Sequence, residues 1–263
     1  MRLFWELSKL SFARQLNYRA ATLAGLVTNL FFGLLRAAVL EALYGSREEV
    51  VGISLQAAIT YTGVTQALIA FTMIFGWYEV MDSVYSGEVA SDLLKPMNYF
   101  TFWLARDVGR AVATFLLRGL TIMAAYALIF PIIVPQGAEQ WLALVVALIL
   151  ALLVSFAWRF LVNLAAFWTP NALGIGRFAF ILSWFLSGFL MPLRFFPDWF
   201  QAICSLTPFP QVVNTVVEVY LGLLTGADLL RALGVQLLWA IGLILASQLV
   251  LRAGVRRLVI LGG

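Results

Sequence analysis

"QWLALVVALILALLVSFAWRFLVNLAAF", residues 140–167, carries one charged residue, Arg159, over a length that exceeds the roughly 20 apolar residues a helix needs to cross a bilayer core. Comparable runs cover 20–43, 55–78, 111–134 and 229–251. A sixth, 178–193, is shorter: it ends in "MPLRFFPDW", so its apolar run stops at Pro192 and is followed by Arg194, Pro197 and Asp198. Downstream, "FQAICSLTPFPQVVNTVVEVYLG" is too interrupted by Pro208 and Pro210 to span and too apolar to be a solvated loop. Non-helical backbone at membrane depth is tolerated where protein shields it, so a re-entrant hairpin is predicted over 194–222.

The whole chain agrees with this reading. Of its 263 residues, 63% are apolar and 11% charged, and the mean hydropathy of +0.96 lies outside the range of soluble domains. The fold class expected is an all-α integral membrane protein, a single domain over 1–263 with six transmembrane helices. The first residues lack the apolar core and small-residue cleavage site of a secretory leader, and Arg2, Glu6, Lys9, Arg14 and Arg19 punctuate them instead. Arg2, Glu6 and Lys9 share one helical face and Leu3, Leu7 and Leu10 another, which predicts an amphipathic helix over 1–19 lying on the inner leaflet.

Charge placement sets the orientation. One side of the predicted spans receives Arg2, Lys9, Arg14, Arg19, Lys95, Arg106, Arg110, Arg159, Arg177, Arg252, Arg256 and Arg257; the other receives only Arg47, Arg194 and Arg231. By the positive-inside rule the first side, with both termini, is cytoplasmic. The net charge of +4 and pI near 9.5 are therefore read as topology signals, and no nucleic-acid partner is expected. With one cysteine, Cys204, and no histidine, neither an intrachain disulfide nor the usual metal-ligand sets can be assembled. An intramembrane enzyme would need a nucleophile with its base, paired carboxylates or a metal, and none is visible.

In this topology residues 79–110 form the longest cytoplasmic loop, and inside it lies the polar strip "GEVASDLLKP", residues 87–96. Leu93 and Leu94 sit among Glu88, Asp92 and Lys95, and Pro96 cannot extend a helix, so the strip reads as a short amphipathic helix with a stop. Such an element can rest on a membrane surface or dock into another protein.

The run "SGEVASDLLKPMNYF" resembles the segment between the second and third spans in permeases of the type-2 ATP-binding-cassette (ABC-2) exporter family, small six-span branch. Residues 185–211, "FLSGFLMPLRFFPDWFQAICSLTPFPQ", are similar to that branch's signature after the fifth span, with Gly188, Pro192, Leu193, Phe196, Pro197, Pro208 and Phe209 as the counterparts, and the ending "RRLVILGG" is similar too. One departure is a missing proline before "YLG", which leaves the geometry of Asn214 to Tyr220 open. The resemblance implies a non-catalytic permease subunit of an ATP-driven exporter in a prokaryotic inner membrane. It implies two copies of a separate ATPase subunit carrying ATP and Mg, with none on this chain; no Gly-x-x-x-x-Gly-Lys-Ser/Thr run is present here. It also implies a second permease, as a heterodimer with a non-identical paralogue or a homodimer, embedded in membrane lipids. By the same resemblance the strip is a coupling helix: Glu88, Asp92, Leu93, Leu94, Lys95 and Pro96 meet the ATPase, the leucines as anchors and the charges as an orienting rim. The hairpin would form an external gate from Pro192, Phe195, Phe196, Pro197, Trp199, Pro208 and Phe209. Cargo is expected to be amphipathic, drug-like or lipid-linked.

Polar residues inside the spans have two readings each. Arg118 has no acid within a turn and Arg36 can reach toward Glu41, so both either snorkel to headgroups or pair with another span or subunit. Thr62, Thr65, Gln66 and Thr72 recur at helical spacing, as helix packing or as pathway lining. Arg159 and Asn163, one turn apart, read as helix-end anchors. The alternative function, an ion- or proton-coupled secondary transporter or a channel-like subunit, is weakened because the predicted span interiors contain no acid.

Overall fold

A computed structural model describes residues 2–169 and 171–257. Apart from a two-residue antiparallel hairpin pairing Glu49–Val50 with Ile53–Ser54, the regular structure among the described residues is helical. Helix α1 (Arg2–Asn17) precedes α2 (Arg19–Tyr44), α3 (Leu55–Thr72), and the two short helices α4 (Glu79–Tyr85) and α5 (Val89–Leu93). Then α6 (Tyr99–Thr114) runs through a π-turn, Phe115–Gly119, into α7 (Leu120–Ile129). Helix α8 (Ala138–Asn163) tightens into a 3-10 turn at Leu164–Phe167 and is followed by α9 (Ala172–Leu186). Two short helices, α10 (Asp198–Ser205) and α11 (Asn214–Tyr220), lead to α12 (Gly226–Val255).

Four helices among the described residues are long and apolar enough to cross a membrane: Arg19–Tyr44, Tyr99–Ile129, Ala138–Phe167 and Gly226–Val255. The chain is a multi-pass membrane protein. Three expected spans differ from their sequence limits. The third helix begins at Tyr99, so residues 99–110 are helix rather than loop, and Asn98 caps it by accepting from the Thr101 amide at 3.3 Å. That helix stops at Ile129, ahead of Pro131, instead of running to 134. The second, expected over 55–78, is helical only to Thr72; its four threonines and Gln66 are buried inside the bundle, where a polar helix need not meet lipid. The fifth, expected over 178–193, is helical over Ala172–Leu186, and the chain turns before Pro192. The ending "RRLVILGG" extends into residues 258–263, which lie outside the described residues.

The core is built on α8. Ala147, Ala151, Val154, Phe156, Ala157 and Phe160 are buried along it, and α12 and α11 pack on it. Phe100 packs edge to face on Phe156 and Phe160 at 5.1 and 5.0 Å where α6 crosses α8. Helix α1 lies along α6 rather than apart from the bundle. Ser8 Oγ donates to the Ala105 carbonyl at 2.8 Å and Ser11 Oγ to the Arg106 carbonyl at 2.6 Å. A Cβ on Gly109 would run into the Ser8 carbonyl, so glycine permits this close approach. The leucine face expected to enter lipid is divided: Leu3 and Leu10 are exposed, while Leu7 turns toward the core.

Candidate functional site

The strip 87–96 forms α5 and its exit. Glu88 and Pro96 are exposed, Leu93 is half-buried against the core, and Leu94 is the bare residue, 87% exposed. Asp92 is buried, not a rim: it accepts from Ser83 Oγ at 3.1 Å and from Lys95 Nζ at 2.6 Å, tying α5 to α4 and to its own exit turn. Lys95 also lies 4.0 Å over the Phe102 ring, which holds the strip to α6. Of the residues assigned to docking, the structure brings Asp92 and Lys95 together internally and leaves Leu94 to point away.

Behind the strip the backbone leaves helical geometry. Met73 adopts a left-handed conformation, φ 50°, and residues 73–78 run irregularly from α3 to α4 beside α8. Buried backbone groups without partners are costly, so side chains must supply them. Arg110 donates to the carbonyls of Ala70 and Phe71, the latter at 3.0 Å, and Ser155 Oγ donates to the Thr72 carbonyl at 2.6 Å. Asn163 Nδ2 donates to the Trp77 carbonyl at 2.7 Å while its Oδ1 accepts from the Met81 amide at 3.1 Å. Arg159 and Asn163 therefore do not anchor a helix end: Asn163 clamps the entry to α4, and Arg159 is 2% exposed.

Arg159 pairs with Asp107 through two bonds, Nη2 to Oδ2 at 2.8 Å and Nη1 to Oδ1 at 3.2 Å, and Arg110 Nε donates to Asp107 Oδ1 at 2.9 Å. This corrects the expectation of acid-free spans, because Asp107, assigned to a loop, is buried on α6. Both its oxygens are held by guanidiniums, which suits a structural tie rather than a proton carrier. A single continuous set of polar contacts thus runs from Met81 and Trp77, through α8, to α6 and the end of α3.

A second set stabilises the turn after α9. Gly188, φ 80°, offers its carbonyl to Tyr61 Oη, and the Phe189 carbonyl accepts from Arg36 Nη1 at 3.0 Å. The Arg36 guanidinium lies 4.3 Å from the Phe189 ring centroid, so it reaches inward and not to Glu41. Asn214, the first residue of α11 where the missing proline left the geometry open, bonds the Ser187 carbonyl with its amide at 3.1 Å, and its Oδ1 accepts from Leu193 N at 3.3 Å. Arg194 Nε donates to Glu218 Oε1 at 2.8 Å across the same turn.

The hairpin residues separate into two layers. Leu186, Leu193, Phe200, Cys204 and Phe209 form a buried cluster, with Phe209 5.1 Å from the Trp158 ring and Pro208 buried beside it. Pro192 is buried; Phe195 and Phe196 are half-buried, the latter 4.6 Å from Phe200. Pro197 and Trp199 are exposed, Trp199 at 66%. The structure does not gather the seven expected gate residues on one surface.

Arg118 lies in the π-turn between α6 and α7. With the Asn29 amide oriented to satisfy both of its groups, Asn29 Oδ1 accepts from Arg118 Nη2 at 3.2 Å, and a Cβ on Gly25 would overlap the guanidinium. Arg118 therefore crosses to α2. Thr62 and Thr72 bond carbonyls one turn back on α3 and Thr65 bonds the Thr62 carbonyl; with Gln66 they are buried within the chain. Sequence reading missed Asp107, Arg110 and Ser155; the Asp107 and Arg110 pair at i, i+3 was the available signal.

A family model described as "ABC-2 family transporter protein" matches residues 30–262. Comparison with curated proteins and with solved structures gives no match.

Proposed function

The chain belongs to the ABC-2 transporter family, and we propose that it is the permease subunit of an ATP-driven exporter, powered through residues 79–96 by a separate ABC ATPase. Family membership makes it a membrane component of a transporter that partners an ABC ATPase. The finer reading adds two ATPase copies carrying ATP and Mg, a second permease chain, identical or paralogous, and six membrane crossings, with α3, buried in the bundle, and α9, at its surface, as the short ones. Both termini face the cytoplasm of a prokaryotic cell, and α10 and α11 form the outer hairpin.

The observation that carries this reading is Leu94. It is bare on a segment whose Asp92 and Lys95 are engaged with α4 and α6, and α4 is hydrogen-bonded through Asn163 to α8. An apolar anchor on a rigidly connected element suits a contact that must transmit force. In this mechanism ATPase closure presses on Leu94 and displaces α4 and α5. Asn163 and the Asp107, Arg110 and Arg159 contacts carry the displacement to α8 and the end of α3. Spans tied by Tyr61 and Arg36 to the turn at 187–193 then shift the outer hairpin, releasing amphipathic, drug-like or lipid-linked cargo.

The test is co-purification of the assembled complex with an ABC ATPase identified by mass spectrometry, followed by ATP-dependent efflux in vesicles. Leu94→Asp should lose the ATPase and efflux while the chain still inserts in the membrane. Efflux that persists without any ATPase, or runs on an ion gradient, would refute the reading.

A further inference from the structure

We propose that the recess between α1 and the junction of α3, α4 and α6 binds the phosphate headgroup of an anionic phospholipid. The recess has a volume of about 270 Å³, and its walls include Ser11, Arg14, Gln15 and Tyr18 on the α1 side and Glu79 and Arg106 opposite. That is below the usual range of whole-ligand pockets, roughly 300–1,000 Å³, and suits a headgroup with its chains left outside.

Its charge selects an anion. Arg14 has no carboxylate within ion-pair distance among the described residues, and Arg106 engages Glu79 through Nη2 alone, at 3.1 Å. The Arg106 guanidinium is held 4.3 Å over the Trp103 ring, so its orientation is fixed before a ligand arrives. Arg110 forms part of the floor, with Asp107 and, behind it, Arg159. Two acids oppose the anion, Glu79 and Asp107, but Asp107 is already bonded by two guanidiniums and Glu79 by one. Three arginines on the recess wall, Arg14, Arg106 and Arg110, face two carboxylates, which leaves a positive excess, and arginine forks match phosphate geometry.

The surroundings favour a lipid over free phosphate as the source. Leu3 and Leu10 are exposed on the side of α1 that carries Arg14, as on a helix lying in the membrane interface, which sets the recess beside it at headgroup depth. The exposed apolar surface of α2 begins at Leu23, two residues past Ala21 on the recess wall, and gives acyl chains a continuous path into the bilayer. This inference needs the membrane placement alone and stands independently of the transport reading.

The experiment is native mass spectrometry of the full chain after exchange into detergent containing equal phosphatidylglycerol and phosphatidylcholine. Preferential retention of phosphatidylglycerol is expected, with a loss of about tenfold in Arg14→Gln/Arg106→Gln, as expected for removing charge-assisted bonds. A control with the same charge loss, Arg2→Gln/Lys9→Gln, should retain it. If the double variant misfolds, Arg14→Gln alone, on an exposed side chain, should still lower retention several-fold. Equal retention of the two lipids, or unchanged retention in both variants, would overturn the proposal. Uptake of millimolar inorganic phosphate with no phosphatidylglycerol retained would make this a free-phosphate site. Loss of ATPase association with lipid retention intact would make it a protein contact. Either result also rejects a lipid site.

Discussion

Arg159 Nη2 stands 2.8 Å from Asp107 Oδ2, joining two helices whose charged residues are 52 positions apart in sequence. Breaking a buried pair leaves an uncompensated charge, at a cost of about 3–5 kcal/mol. Asp107→Asn should therefore lower the thermal midpoint of the detergent-solubilised chain far more than the exposed Glu88→Gln. Equal midpoints would show that the contact carries no stability.

Asn163 satisfies a carbonyl and an amide of the connection from α3 to α4. Asn163→Ala should loosen that connection locally by about 1–3 kcal/mol, the cost of buried unpaired polar groups. Hydrogen exchange should rise over residues 77–93 and stay unchanged in α12. Faster exchange throughout the bundle would point to global destabilisation instead.

Asp92 and Leu94, two positions apart, should fail in different ways. Asp92→Ala removes the acceptor of Ser83 and Lys95 and should lower stability and ATPase association together. Leu94→Asp changes an exposed side chain and should lower association with the thermal midpoint held. Two variants with the same thermal profile would remove the distinction between an internal tie and an external anchor.

Gly109 allows α1 to touch α6 at Ser8. Gly109→Leu should separate the two helices, and trypsin should then cut after Arg14 at least several-fold faster than in the wild type. Protection equal to the wild type would mean that α1 is held elsewhere.

Cys204 is buried in the hairpin cluster, and burial pushes its thiol above the ordinary range. A raised thiol pKa means less thiolate at a given pH, so maleimide labelling of Cys204 should be slow at neutral pH and should rise only above the usual thiol range. In a Cys204→Ser background, a cysteine placed by Trp199→Cys, an exposed position, should label rapidly from outside intact cells. Labelling of that variant only after permeabilisation would reverse the proposed orientation.

The membrane class, the long helices and the place of the polar strip were legible because they depend on local properties. Apolar length marks 140–167 and 229–251, and Pro192 marks the end of a run whether or not neighbours are known. The limits of α3 and α6 were not legible in the same way. The apolar run continues past Thr72, but the helix ends there because Arg110 and Ser155 take its last carbonyls. Helix α6 starts at Tyr99, ahead of its apolar run, because its polar side faces α1 and α8 rather than water.

What the sequence determined by itself is the solvent of the protein and the order of its elements, since hydropathy and turn residues act over short stretches of chain. Tertiary structure alone decided which charge meets which. Arg36 joins Phe189, Arg118 joins Asn29, and Arg159 joins Asp107, all across separate helices. In a low-dielectric interior a charged or polar group left without a partner is costly, and helix packing alone sets which partner lies within about 3 Å of these arginines.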